Sequence, residues 1–119
     1  MTYITDLKRS SQLETNKNQR FYGMLGFAMR AGKLVIGTEQ ICKSMARGAV
    51  KLVVISKGAS DNTKKKLIVK GDYYGVSTVE AEIDTERLGS LLGKTYAPAA
   101  VAVTDDGFAA EIKKAVSQS

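Results

Sequence analysis

Residues 37–56 read Gly-Thr-Glu-Gln-Ile-Cys-Lys-Ser-Met-Ala-Arg-Gly-Ala-Val-Lys-Leu-Val-Val-Ile-Ser. The pattern predicts a short helix running directly into a buried strand. Gly37 and Thr38 open the helix, with Thr38 as its N-cap, and Gly48 closes it. Leu52 to Ile55 is a short apolar, β-branched run. At about 100° per residue, Ile41, Cys42, Met45, Ala46 and Ala49 share one side of the helix, while Glu39, Gln40, Lys43 and Arg47 share the other. The second group sets a carboxylate, an amide and two cations near a helix N-terminus, whose N–H groups favour a phosphate or carbonyl oxygen. Such groups suit nucleic-acid base edges and backbone. None of them is equipped for covalent chemistry.

Outward from this stretch, helices and strands alternate. Residues 19–31 place Phe21, Met24, Leu25, Ala28 and Met29 on one helical face, and Gly32 is suited to end that helix. Gly23 and Gly26 lie within it and read as points of close helix packing. Leu34 to Ile36 is a short strand. Beyond the strand at 51–57, Ser60 or Asp61 caps a helix expected to run to about Val69 and to break at Gly71-Asp72. A third strand is expected over 75–80, and Asp84 caps a helix carrying Leu88, Leu91 and Leu92. Pro98 precedes a strand over 99–104, and Asp105 or Asp106 caps a last helix with Phe108, Ile112 and Val116 in one stripe. This order, αβαβαβαβα, argues an α/β domain whose sheet is covered by helices on both faces.

A chain of 119 residues with 44% apolar content fits one globular domain. Residues 1–18 are polar and aperiodic, so the domain is expected over 19–119, with 1–18 as an N-terminal extension. No apolar run is long enough to span a bilayer, and the polar N-terminus has no apolar h-region, so no secretory signal is expected. A single cysteine, Cys42, leaves no internal disulfide and fits a reducing cytoplasm. Its place on the apolar side of its helix predicts a buried, inert thiol.

Histidine is absent, which removes His-based triads and Cys/His zinc sites. Glu80, Glu82, Asp84 and Glu86 follow no recognised metal or glycosidase spacing, and neither a dinucleotide fingerprint nor a phosphate-binding P-loop occurs. The expectation is a non-enzyme with no catalytic residues, metal or cofactor. Charge is lopsided: residues 20–71 carry eleven Lys and Arg against Glu39 and Asp61, whereas residues 72–119 carry four against eight acids. A basic half beside an acidic half points to a polyanionic partner. The run Lys64-Lys65-Lys66 spreads around its helix and reads mainly as a solvated surface adding long-range attraction.

Gly37-Thr38-Glu39-Gln40-x-x-Lys43-x-x-x-Arg47-Gly48, with the strand that follows, resembles the kink-turn-binding ribosomal proteins, the seven-Ae family of the large subunit. Residues 59–65, Asp72-Tyr73-Tyr74, Leu88-Gly89-x-x-Leu92-Gly93-Lys94 and residues 101–109 are similar to its small bacterial YlxQ-like branch. The resemblance runs from about Gln19 to Val116. It implies a three-layer α/β/α sandwich around a mixed four-stranded sheet, and binding to RNA kink-turns with sheared G·A pairs. rRNA or a structured mRNA leader is the implied partner, with ribosomal association.

By the same resemblance, the helix opening at Gly37 enters the RNA groove, with Thr38, Glu39, Gln40, Lys43 and Arg47 as contacts and Lys33 just upstream. Gln40 stands where the family has a guanine-reading Glu, and Glu39 where many members have Asn. An amide still offers both donor and acceptor to a guanine edge. The connection over 79–84 is implied to lie beside this helix start, with Val79, Ala81 and Ile83 against the flipped-out kink nucleotide. A second reading makes Val79 and Ile83 core strand and staple residues. Two other function classes stay open on the residues: a protein-interaction module of the same fold, and a small nucleotide-processing enzyme.

Overall fold

Successive residues of a strand face opposite sides of its sheet, and here each side is apolar. The computed structural model describes residues 19–117. They form helix α1 (residues 19–30), β1 (Leu34–Ile36), α2 (Thr38–Ala46), β2 (Leu52–Ser56), α3 (Asp61–Tyr74), β3 (Ser77–Ala81), α4 (Thr85–Leu91), β4 (Ala100–Val103) and α5 (Asp106–Ser117). Leu52, Val54, Val101 and Val103 join Leu25 of α1, Leu88 of α4 and Ile112 of α5 in one core. Val53, Ile55, Ala100 and Ala102 meet Ile41 and Met45 of α2 and Leu67 of α3 in the other. The result is the three-layer α/β/α sandwich expected.

The sheet order is β1-β4-β2-β3. β2 and β3 run parallel, while β4 runs antiparallel to both β1 and β2. The central strands β2 and β4 are buried throughout, and β1 forms one edge and β3 the other. Helix starts follow the anticipated chemistry. Ser60 Oγ accepts from Thr63 N at 3.2 Å, Asp84 Oδ1 from Arg87 N at 2.7 Å, and Asp105 Oδ2 from Phe108 N at 2.9 Å.

Five local expectations are corrected. Gly71 does not break α3, which continues to Tyr74 and ends on Gly75 in the left-handed region (φ 70°). A Cβ at position 71 would lie 2.7 Å from Thr78 Cγ2 and 3.0 Å from Val76 O, so this glycine lets helix and strand β3 approach. β3 accordingly starts at Ser77 rather than 75. Thr38 is the first helical residue of α2, not its cap; Gly37 takes the cap position at φ 99°, ψ 139°, and no side chain caps the helix. Gly23 and Gly26 are not packing points, since a Cβ at Gly23 meets nothing within 4 Å and one at Gly26 meets only the Arg30 guanidinium at 3.8 Å. The inward side of α2 is Ile41, Ser44 and Met45, with Ala46 exposed and Cys42 half-buried beside the second core. The extension assigned to residues 1–18 lies outside the described residues.

Candidate nucleic-acid interface

Strand directions bring four connections to one end of the sheet. β1, β2 and β3 finish there, and the antiparallel β4 starts there. Backbone hydrogen bonds tie them together. Gly37 N donates to Ala100 O at 3.5 Å, and Ser56 N donates to Ala99 O at 2.9 Å. Lys57 N donates to Ala81 O at 3.1 Å and to Ile83 O at 3.2 Å. Across this end the order is therefore the α2 start, the connection into β4, the β2–α3 turn and the β3–α4 turn.

At the first position, Gly37 allows the backbone to turn from β1 into α2 with φ positive. The N–H groups of a first helical turn have no intrahelical acceptor, and here no side chain takes that place. Glu39 and Gln40 are exposed in this turn, and Lys43 is exposed one turn on. Thr38 is half-buried. These residues form one surface: outward backbone donors, an amide and a cation. Glu39 sets a carboxylate beside the positive helix end, a favourable position for it.

Lys33 and Arg47 lie elsewhere. Lys33 precedes β1, at the opposite end of the sheet, where its carbonyl accepts from Thr104 N at 2.9 Å and Thr104 Oγ1 at 3.1 Å. Arg47 follows the last turn of α2, roughly 13 Å from the first by helical rise. Its guanidinium donates to Ser44 Oγ at 3.1 Å. Neither side chain belongs to the cluster at the α2 start.

The apolar surface read into 79–83 is also corrected. Ala81 and Ile83 are each 2% exposed and belong to the core beneath α1, α4 and α5, with half-buried Val79 packed against it. The buried Ser56 hydroxyl donates to Ile83 O at 2.6 Å and accepts from Gly58 N at 3.0 Å, holding the two turns together. The residues that this connection presents outward are Glu80 and Glu82. It is not beside the α2 start either: β1 and β3 are opposite edges, about 14 Å apart at strand spacing.

The glutamates have partners. Glu80 Oε1 lies 2.8 Å from Lys64 Nζ, and Glu82 Oε2 lies 3.6 Å from Lys57 Nζ. Thus two lysines outside the motif helix also reach this end, each beside a carboxylate.

The connection that does adjoin Gly37 is the one leading into β4. Tyr96 is 55% exposed there. It is positioned by Gly89 of α4, where any Cβ would collide with the Tyr96 carbonyl. Sequence reasoning missed this segment. Its signal was an aromatic two residues before Pro98, but only the antiparallel entry of β4 places it at this end.

Among the described residues, no group of three or more His, Cys, Asp or Glu is placed to hold a metal ion, and no helix is long and apolar enough to cross a membrane. Similarity to known proteins agrees with the architecture. The profile of the ribosomal protein L7Ae/L30e/S12e/Gadd45 family matches residues 19–113. The RNA-binding protein YlxQ of Bacillus subtilis (strain 168) is 40% identical over 89 residues, 75% of this chain and 87% of that protein. YlxQ of Enterococcus faecium is 33% identical over 105 residues, 87% of this chain and 98% of that protein. A Bacillus halodurans C protein of solved structure superposes with a TM-score of 0.76 at 32% identity, covering 82% of this chain and 97% of that one. The Giardia lamblia 15.5kD RNA binding protein shares the fold, with a TM-score of 0.69 at 15% identity over 87% of each chain. With the family profile spanning the sandwich and relatives matching along most of their length, the chain belongs to the ribosomal protein L7Ae/L30e/S12e/Gadd45 family.

Proposed function

We propose that this protein is a cytoplasmic, ribosome-associated RNA-binding protein that recognises a kinked element containing sheared G·A pairs. The observation that carries the reading is the uncapped start of α2, with Gln40 and Lys43 exposed, next to the exposed Tyr96 connection. RNA recognition favours distorted sites, where bases can be stacked on aromatic rings and read at their edges. In this account Gln40 reads a guanine edge, Lys43 meets backbone, and the α2 N–H groups meet a phosphate or carbonyl oxygen. Tyr96 supplies the apolar platform for an unstacked nucleotide, the role first assigned to Val79, Ala81 and Ile83. Thr38 and Glu39 flank the contact. The names of the relatives, an RNA-binding protein and ribosomal proteins such as eL30 of Sulfolobus acidocaldarius at 27% identity, support the partner class.

The protein acts as a binder rather than a catalyst, by preferring one RNA shape. A ligand shifts a conformational equilibrium only by its differential affinity for the two forms. Driving a bend from 1:99 to 99:1 requires about 5.5 kcal/mol of preference for the bent form. The test is a kink-turn duplex with a donor and an acceptor dye at its ends. Added protein is expected to raise energy transfer at low magnesium. A complex that forms without any rise would remove the bending mechanism.

A further inference from the structure

The outer side of α3 combines features that the interface at the sheet end does not use. Tyr73 is 80% exposed, and Val69 and Ile68 are 57% and 44% exposed. Leu67 and Gly71 face the sheet, so Lys65, Lys66, Val69 and Tyr73 lie on the opposite side of the helix. Val69, Lys70, Tyr73 and Tyr74 line an open groove of about 350 Å³. The Tyr73 and Tyr74 rings meet edge to face, with centroids 4.8 Å apart and planes at 90°. This contact limits the freedom of Tyr73 while its outer ring surface stays open, which reduces the ordering cost of stacking.

We propose that this groove is a second RNA contact, in which an unpaired base outside the kink stacks on Tyr73 while Lys66 and Lys70 meet the adjoining phosphates. Aromatic rings interleaved with cations are the equipment for binding a single strand without sequence readout. The three lysines argue against a protein occupant, because the centre of a protein interface is depleted of lysine. Asp72 is the nearby carboxylate, and it lies on the flank shared with Ile68. α2 and α3 both start at the end proposed for the kink and pack on the same face of the sheet. Fourteen residues make α3 about 21 Å long by helical rise. A strand leaving the kink along α3 therefore passes Lys65 and Lys66 before it reaches Tyr73. The proposal rests on the RNA-binding reading above and adds a contact for the flanking strand.

The test compares the full chain on two RNAs: a blunt kink-turn duplex, and the same duplex with an unpaired oligouridine extension on either strand. One extension is expected to improve affinity by about fivefold to a hundredfold, the range of one base stacked on an aromatic ring. Tyr73→Ala should abolish that gain and leave the blunt RNA unaffected, while Tyr73→Phe should keep it. Lys70→Ala should reduce the gain and its salt dependence. Gln40→Ala should weaken both RNAs equally and leave the gain intact. Loss of kink selectivity with the extension effect preserved would end the kink reading and support the α3 contact. An extension that adds nothing on either strand, or a gain unchanged by Tyr73→Ala, would overturn the proposal. So would a concentration-dependent dimer that Tyr73→Ala dissolves.

Discussion

Lys64 Nζ and Glu80 Oε1 stand 2.8 Å apart, joining α3 to the outward side of β3. The first lysine of the basic run is thus already beside a carboxylate, and Lys57 is likewise 3.6 Å from Glu82. RNA phosphates approaching this edge must replace those carboxylates or avoid these lysines. The glutamates make this part of the surface less attractive to any polyanion. That raises the relative importance of the α2 start.

Removing the carboxylates should loosen selectivity. Glu80→Gln with Glu82→Gln is expected to strengthen binding to plain duplex RNA and steepen its salt dependence. The slope should grow by about 0.7 to 0.9 per phosphate newly neutralised. Stability should change by less than about 1 kcal/mol, because the pairs are exposed. Titrations at several salt concentrations check this; an unchanged slope would show that the lysines meet no phosphate.

Ile83 and Tyr96 should separate folding from binding. Ile83→Ala is expected to cost about 2–5 kcal/mol, the range for truncating a buried aliphatic side chain, as read from a urea midpoint. Tyr96→Ala should leave that midpoint within about 0.5 kcal/mol and still weaken RNA binding. The reverse pattern would return the apolar platform to the β3–α4 connection.

Two glycines in helices should respond in opposite directions. Gly23→Ala is expected to stabilise by about 0.5–1 kcal/mol, since its Cβ meets nothing and alanine favours helix. Gly89→Ala should destabilise by about 1–3 kcal/mol through overpacking against the Tyr96 carbonyl. It should also weaken RNA binding, because the Tyr96 connection must shift. Thermal melts and binding curves of the two variants check both outcomes.

Ser56→Ala should cost about 0.5–1.5 kcal/mol, the net worth of a typical hydrogen bond, as Gly58 N loses its acceptor and Ile83 O keeps only the Lys57 N–H. Restoration of stability by Ser56→Thr is not required, because the strand is buried on both sides. Chemical denaturation measures the loss; a change under about 0.5 kcal/mol, as for ordinary surface sites, would mean that the hydroxyl does not tie the two turns.

What the sequence disclosed, and what it hid, follows from the range of each interaction. The run Leu52 to Ile55 announced a strand because both its faces are apolar, and Ser60, Asp84 and Asp105 announced helix starts through bonds three residues long. Gly71 misled because Gly-Asp is a local turn signal, while its reason for being there is Thr78, on the next strand. The alternation Val79-Glu80-Ala81-Glu82-Ile83 said which residues share a face but not which face carries helices. Strand order is wholly non-local. The strand order β1-β4-β2-β3 puts Gly37 and the 79–83 connection at opposite edges and brings the segment leading into β4 beside Gly37, while Lys33 lies at the other end of β1.

The central claim is that the α2 start reads a G·A-containing kink. The most direct measurement is the ratio of two dissociation constants, for a kink-turn RNA and for the same RNA with its G·A pairs replaced by Watson–Crick pairs, in wild-type protein and in Gln40→Ala. The wild-type ratio is expected to favour the kink-turn by at least about tenfold, with Gln40→Ala losing about 1–3 kcal/mol on the kink-turn alone, the scale of one base-reading contact. Equal wild-type affinity for the two RNAs would contradict the account and leave a basic surface that binds RNA without regard to its shape.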